Sequence, residues 1–298
     1  MAPIRFTTTP SLNDAILVAA FKGWNDASEV ATAAVKFLIR RWKARRFAEL
    51  DPEEFFDFSE TRPHVRYGRD GHRVIDWPIT EFHFHRGVAA GRDVVLALGT
   101  EPNLRWRTFT DAIVNLGQTI NVTTVVTLGG LLADVPHSGM PRLTGSASDT
   151  SLNERLQDLQ VPGSRYEGPT GIVGVLNTRA REAGMATVSL WGNVPHYVSA
   201  SPNPKVTHGL LHRLSTLLDL NLDLSEWDPT VSSFEAQVTE AIESNPEIAA
   251  YVRELEQADS SDFDTQAPPA GELPSGDAIV RELEDFLRRQ RSDDEPER

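Results

Sequence analysis

Eight polar side chains follow closely on apolar runs: Asn25 and Asp26, Glu101 and Asn103, Asp134 and His137, Asn193 and His196. Carboxylates beside imidazoles suit general acid–base work, with Asp26 or Glu101 exchanging a proton and His137 or His196 making a polar contact. Arg105 could then hold a phosphate. With Gly23, Gly129 and Gly130 at the same points of the chain, these residues form a candidate rim pocket. The same residue types also suit a plain structural role, because helix N-caps and turns need them. Other patterns carry less. Gly168-Pro169-Thr170-Gly171 opens a helix whose free N–H groups could bind an anion, but it matches neither a phosphate-cradling loop nor a dinucleotide fingerprint. His83 and His85 share a strand face without a third ligand at metal spacing, and His208 and His212 lack the glutamate of HExxH. There is no GxSxG elbow and no cysteine to act as a nucleophile. No complete catalytic motif results, and neither a metal nor a cofactor is expected.

Positioning such residues requires buried strands ending on one side. Ala15–Phe21 is unbroken apolar, as in a parallel sheet covered on both faces. Asn25, Asp26 and Ser28 can cap the amphipathic helix that follows, expected to run to about Arg46. Three more apolar strands repeat the pattern: Asp93–Leu98 closed at Gly99, Thr123–Leu128 closed at Gly129-Gly130, and Ala186–Trp191 closed at Gly192. Helices over 104–120, 172–183 and 204–220 separate or follow them. Strands alternating with helices predict an α/β fold with a mostly parallel central sheet, whose four strand-end turns share a rim where ligands bind in such sheets. Around this core the sequence predicts an edge strand at Ile4–Phe6, a hairpin of Pro63–Tyr67 with His72–Trp77, and a half-exposed strand at Ile79–Arg86. Phe55, Phe56 and Phe58 are expected to pack on the domain or on a neighbouring subunit.

From residue 225 the pattern turns helical. The expected organisation is an α/β domain over 1–224, a helical extension over 225–257, a flexible acidic linker over 258–276, a terminal helix over 277–291 and a disordered tail over 292–298. The terminal helix carries a stripe of Ile279, Leu283, Phe286 and Leu287, which is too short to be stable without a partner surface. Net charge is −14, half of it in residues 258–298, so a nucleic-acid-binding surface is not expected. No run approaches membrane-spanning length and none resembles a signal peptide, so membrane association is not expected either. Absence of cysteine fits a reducing cytosol, and a cytoplasmic location is expected.

Four stretches carry a resemblance: Phe21 to Ala27 (Phe-Lys-Gly-Trp-Asn-Asp-Ala), Leu128 to His137, Gly168 to Gly174, and Val194 to Val198. Through them, residues 10–220 resemble the proteasome assembly chaperone 2 family in its bacterial form. The resemblance implies a three-layer α/β sandwich similar to the purine nucleoside phosphorylase fold. It also implies a non-enzymatic, oligomerising protein, a trimer by the same likeness, acting through contacts with itself and with a proteasome-related or other protein. Archaeal and eukaryotic relatives dock through a C-terminal hydrophobic-Tyr-x tail, whereas this chain ends Asp-Asp-Glu-Pro-Glu-Arg. The alternative is a nucleoside phosphorylase- or hydrolase-like enzyme using the rim, with Asp26, Glu101, His137, His196 and Arg105 in the roles named above.

Overall fold

A computed structural model describes residues 3–261 apart from 90, 165 and 199. The expected terminal helix (277–291), the tail (292–298) and most of the linker (258–276) lie outside the described residues.

The chain builds an eight-stranded mixed sheet in the order β1 (Ile4–Phe6), β3 (Arg45–Leu50), β6 (Thr80–Ala89), β7 (Arg92–Thr100), β2 (Ala15–Lys22), β8 (Val122–Ala133), β10 (Ala186–Pro195) and β9 (Leu143–Ala147). The four central strands, β7, β2, β8 and β10, are mutually parallel. The flanking strands pair antiparallel. Strands β4 (His64–Tyr67) and β5 (Arg73–Asp76) form the expected hairpin as a separate two-stranded sheet.

Side chains of a strand alternate between faces, and β2 shows both sides buried. Ile16, Val18 and Ala20 pack with α1 (Val30–Arg41) and α5 (Pro204–Leu218), and α3 (Thr150–Asp158) adds Leu156 to this side. Leu17, Ala19 and Phe21 pack with α2 (Trp106–Thr119) and α4 (Ile172–Glu182) on the other. The result is the expected three-layer α/β sandwich. Phe55 and Phe56 are buried in this chain's own core, Phe55 against Phe109 at 5.4 Å, while Phe58 meets Trp77 at 5.0 Å. Two further helices, α6 (Asp228–Glu243) and α7 (Pro246–Ser261), form a small third core with Tyr197 and Val198, just beyond β10.

Two expectations are corrected. The first helix stops at Arg41, not near Arg46, because Lys43 takes a left-handed backbone (φ 48°) and Arg45 starts a strand paired with Phe84. The glycines expected to close three strands lie inside them: Gly99 in β7, Gly129 and Gly130 in β8, and Gly192 in β10. Asn193 is likewise a strand residue. Close approach explains two of these glycines: a Cβ on Gly129 would sit 2.5 Å from the Trp191 ring, and one on Gly192 would sit 2.5 Å from Val206 Cγ1. These positions are glycine for packing, and the strands continue through them.

Candidate functional site

Because the central strands run the same way, their carboxyl ends meet on one rim. At its centre the Glu101 carboxylate gathers three donors from two separate parts of the chain, the Trp24-Asn25 turn and the start of α4. Oε1 accepts from Asn25 Nδ2 at 2.6 Å and from the Ile172 backbone N–H at 2.8 Å; Oε2 accepts from the Trp24 N–H at 3.2 Å. Ile172 is the first residue of α4, so Glu101 supplies a negative charge where the macrodipole favours one. At the helix start after Gly168–Gly171, whose N–H groups could bind an anion, the Ile172 N–H is met by a carboxylate of the protein itself. Gly23 (φ 138°) packs against the same glutamate, and the Gly130 N–H donates to the Asn25 carbonyl at 2.8 Å, tying β8 into the cluster. Asn25 is buried, and its Oδ1 has no hydrogen-bond partner among the described residues.

Asp26 points inward. Its Oδ1 accepts from the N–H groups of Ala31 (2.8 Å) and Thr32 (3.2 Å), and its Oδ2 accepts from the Thr32 hydroxyl. It caps α1 from inside, after Ser28 and Glu29 have both taken left-handed backbones. Burial pushes its carboxyl above the ordinary value, against the pull of those hydrogen bonds. Asn103 accepts from the Asp57 N–H (3.1 Å) and the Thr61 hydroxyl (3.0 Å), and Arg105 pairs with Glu54. Each residue named for acid–base or phosphate chemistry at this end is already engaged by the fold.

Asp134, His137 and His196 form a second cluster with partners that the sequence did not single out. Asp134 Oδ1 lies 3.1 Å from His196 Nδ1, outside hydrogen-bond alignment, and accepts from the Tyr251 hydroxyl at 3.3 Å. The Tyr197 hydroxyl accepts from the His137 N–H at 2.7 Å and lies 3.1 Å from its Nδ1. Lys205 Nζ donates to the His137 carbonyl and pairs with Glu235, each at 2.5 Å, and the Ser138 hydroxyl donates to Glu256. Since Glu235 is on α6, and Tyr251 and Glu256 are on α7, this cluster fastens the helical extension to the rim. The space between His137, Asn193 and Lys205 is about 20 Å³, room for about one water, whereas a ligand such as a nucleoside needs a few hundred.

Burial, with help from the Lys205 charge, holds His137 below the ordinary histidine range. Burial likewise pushes Tyr197 up, and Tyr251 up to about 12, where the Asp134 charge adds to the effect. A histidine kept neutral by the fold takes up its proton more readily when unfolded. Its stabilising contribution is therefore full above about pH 6.5 and falls as the pH drops below that value. Tyr197→Phe leaves the His137 N–H without its acceptor and is expected to cost about 2 kcal/mol in urea unfolding; a loss under about 0.5 kcal/mol would refute this role for the hydroxyl.

The rim also exposes large apolar side chains. Trp24 (65% exposed) follows β2, Leu104 follows β7, Leu131 and Leu132 (59%) end β8, and Met140 (68%) precedes β9. The β4–β5 hairpin, between the rim end of β3 and the start of β6, adds Val65, Tyr67, Ile75 and Trp77. The apolar runs of the sequence did not reveal that these residues stay exposed, because exposure depends on which elements pack beside them. Among the described residues, no group of histidines and carboxylates could hold a metal ion and no helix is long and apolar enough to cross a membrane.

Comparison with known proteins agrees with this architecture. The model of the PAC2 family matches residues 20–242. The PAC2 family protein of Streptomyces avermitilis is 41% identical with a TM-score of 0.72, covering 80% of this chain and 100% of its own. The proteasome-assembly chaperone homologue Rv2125 of Mycobacterium tuberculosis is 40% identical with a TM-score of 0.72, covering 80% and 99%. The archaeal proteasome activator PbaB of Pyrococcus furiosus shares the fold at 20% identity and a TM-score of 0.63, covering 80% and 99%. No curated protein matches the chain.

Proposed function

This chain belongs to the PAC2 family, and from that premise we propose that it is a non-enzymatic, chaperone-like protein of the cytoplasm. It works by protein–protein contact through the apolar rim, first with copies of itself and then with a proteasome-related partner. The observation that carries this reading is the concentration of exposed Trp24, Leu104, Leu131, Leu132 and Met140 along one edge of the sheet. Large apolar side chains left exposed at one edge of the sheet support an interaction role for that edge. The polar residues beneath it are engaged in holding the rim together, which suits a rigid contact surface better than a reaction centre. The resemblance to proteasome-assembly proteins supports the choice of partner, and a trimer is the assembly it suggests.

Static light scattering over a range of concentrations tests this. The wild-type mass is expected to exceed the 33.0 kDa of one chain. Trp24→Asp and Leu132→Asp are each expected to weaken association by about 30-fold, the equivalent of roughly 2 kcal/mol for an interface anchor. A wild-type protein that stays at one chain's mass, or rim variants that associate unchanged, would overturn the reading.

A further inference from the structure

The β4–β5 hairpin leaves the sheet at one end of the rim, between β3 and β6, and presents apolar and basic side chains together. Val65 pairs with Ile75 and Tyr67 with Arg73, so these four share one face. Val65, Tyr67 and Ile75 are 49–73% exposed, whereas Trp77 nearby is already met by Phe58. A two-stranded hairpin with an open apolar face is marginally stable by itself. Arg66 pairs with Asp76, but Arg62, Arg69 and Arg73 are exposed and make no ion pair among the described residues. Asp70, the other acid of the hairpin, accepts the His72 N–H within the turn.

The other end of the rim has the opposite charge. Residues 225–257, which contain α6 and most of α7, hold eight acids against Arg253 alone. Glu226, Glu235 and Glu256 are engaged by Arg40, Lys205 and Ser138. Glu240, Glu243, Glu247 and Glu254 are exposed and make no ion pair among the described residues. Glu247 and Glu254 stand seven residues apart, on one side of α7. Exposed apolar side chains lie next to this helix. Leu132 precedes Asp134 and Met140 follows Ser138, the two residues that hold α7 through Tyr251 and Glu256.

We infer that the hairpin of one copy docks on the α6–α7 end of the next copy's rim, with Arg69 and Arg73 against Glu247 and Glu254 and the hairpin's apolar face against Leu132. Charge selects a second copy as the occupant, because every chain carries both halves of the match at separate places. From the hairpin to β10 is four to five strand spacings, about 20–25 Å, and no ion pair joins the two ends within one chain among the described residues. Two α6–α7 ends brought together would oppose acid to acid, which is repulsive. Copies therefore join head to tail, the kind of contact that closes into a ring. The inference rests on the rim as a self-association surface and assigns the two halves of that contact.

Sedimentation velocity over a range of concentrations tests it. Wild type is compared with Arg69→Glu/Arg73→Glu, with Glu247→Lys/Glu254→Lys, and with the chain carrying all four substitutions. The four side chains are exposed, so each variant is expected to melt at the wild-type temperature. Each double variant is expected to associate about tenfold more weakly, because like charges then meet. The lysine variant is the sharper one: it lowers the chain's net negative charge, which by itself favours association. The fourfold variant restores opposite charges and is expected to return to within about threefold of wild type. Double variants that associate like wild type, or a fourfold variant as weak as either double, would overturn the inference and leave the rim reading standing. A wild type that stays at one chain's mass would remove the rim reading, and the inference with it.

Discussion

Asp26→Ala is expected to cost about 3 kcal/mol, lowering the melting temperature by roughly 6–12 °C. The substitution leaves the Ala31 and Thr32 N–H groups without acceptors in a buried site and leaves the Thr32 hydroxyl only the more distant Glu29 carbonyl at 3.4 Å. Each such loss is worth about 1–3 kcal/mol when taken singly. The total falls short of their sum because the substitution also removes a buried charge, whose desolvation raises the Asp26 pKa. Asp26→Asn keeps the shape and one acceptor, so about 1 kcal/mol is expected. The pH dependence has a definite sign. With its folded pKa above the unfolded one, Asp26 binds its proton more readily in the native state. Its stabilising contribution is complete below the ordinary carboxylate value and is lost as pH rises through the raised value. Chemical unfolding of wild type and Asp26→Asn over the acidic range should show the wild type losing ground as pH rises. A difference that stays constant would contradict the burial argument.

Gly130→Val is expected to be at least as damaging, costing about 3 kcal/mol or more and reducing soluble yield. A Cβ there would lie 2.5 Å from Val30 Cγ2, 2.9 Å from the Ala27 carbonyl oxygen and 3.1 Å from the Ala27 nitrogen. Two of these are backbone atoms that cannot rotate away. The surrounding loop is also held, by the Gly130 N–H on the Asn25 carbonyl and by a parallel bridge between Asp26 and Gly130. Gly163→Ala is the control: its nearest neighbour is the Gly145 carbonyl at 4.0 Å, so a change within about 0.5 kcal/mol is expected. Equal melting temperatures for the two variants would show that the rim yields where the packing says it cannot.

Together these two positions support the proposal that the rim serves as a scaffold for contact. Asp26 and Gly130 face each other across the same bridge, and Glu101 closes the adjoining loop onto α4. Carboxylates that sequence spacing offered as acids or bases are consumed by backbone donors. What remains accessible is the apolar fringe around them, led by Trp24 and Leu132.

The layered core was legible residue by residue. The run Ala15–Phe21 is a strand buried on both faces, and Pro202-Asn203-Pro204 opens α5, where Asn203 accepts the Val206 N–H at 3.0 Å. The Arg45–Leu50 strand was hidden, because its charged residues look like the end of a helix until Arg46 meets Glu81 across the sheet. Glycines 129 and 192 looked like turns, since a close approach by Trp191 or Val206 leaves no trace in the local sequence. Local composition by itself determined that this chain forms parallel buried strands with helices on both sides, because period and burial are written into neighbouring residues. Which polar groups would be consumed by the fold, and which apolar ones left in water, was decided only when strands distant in sequence came side by side. Hydrogen bonding and exposure at the rim depend on those long-range neighbours, and no stretch of the chain carries that information alone.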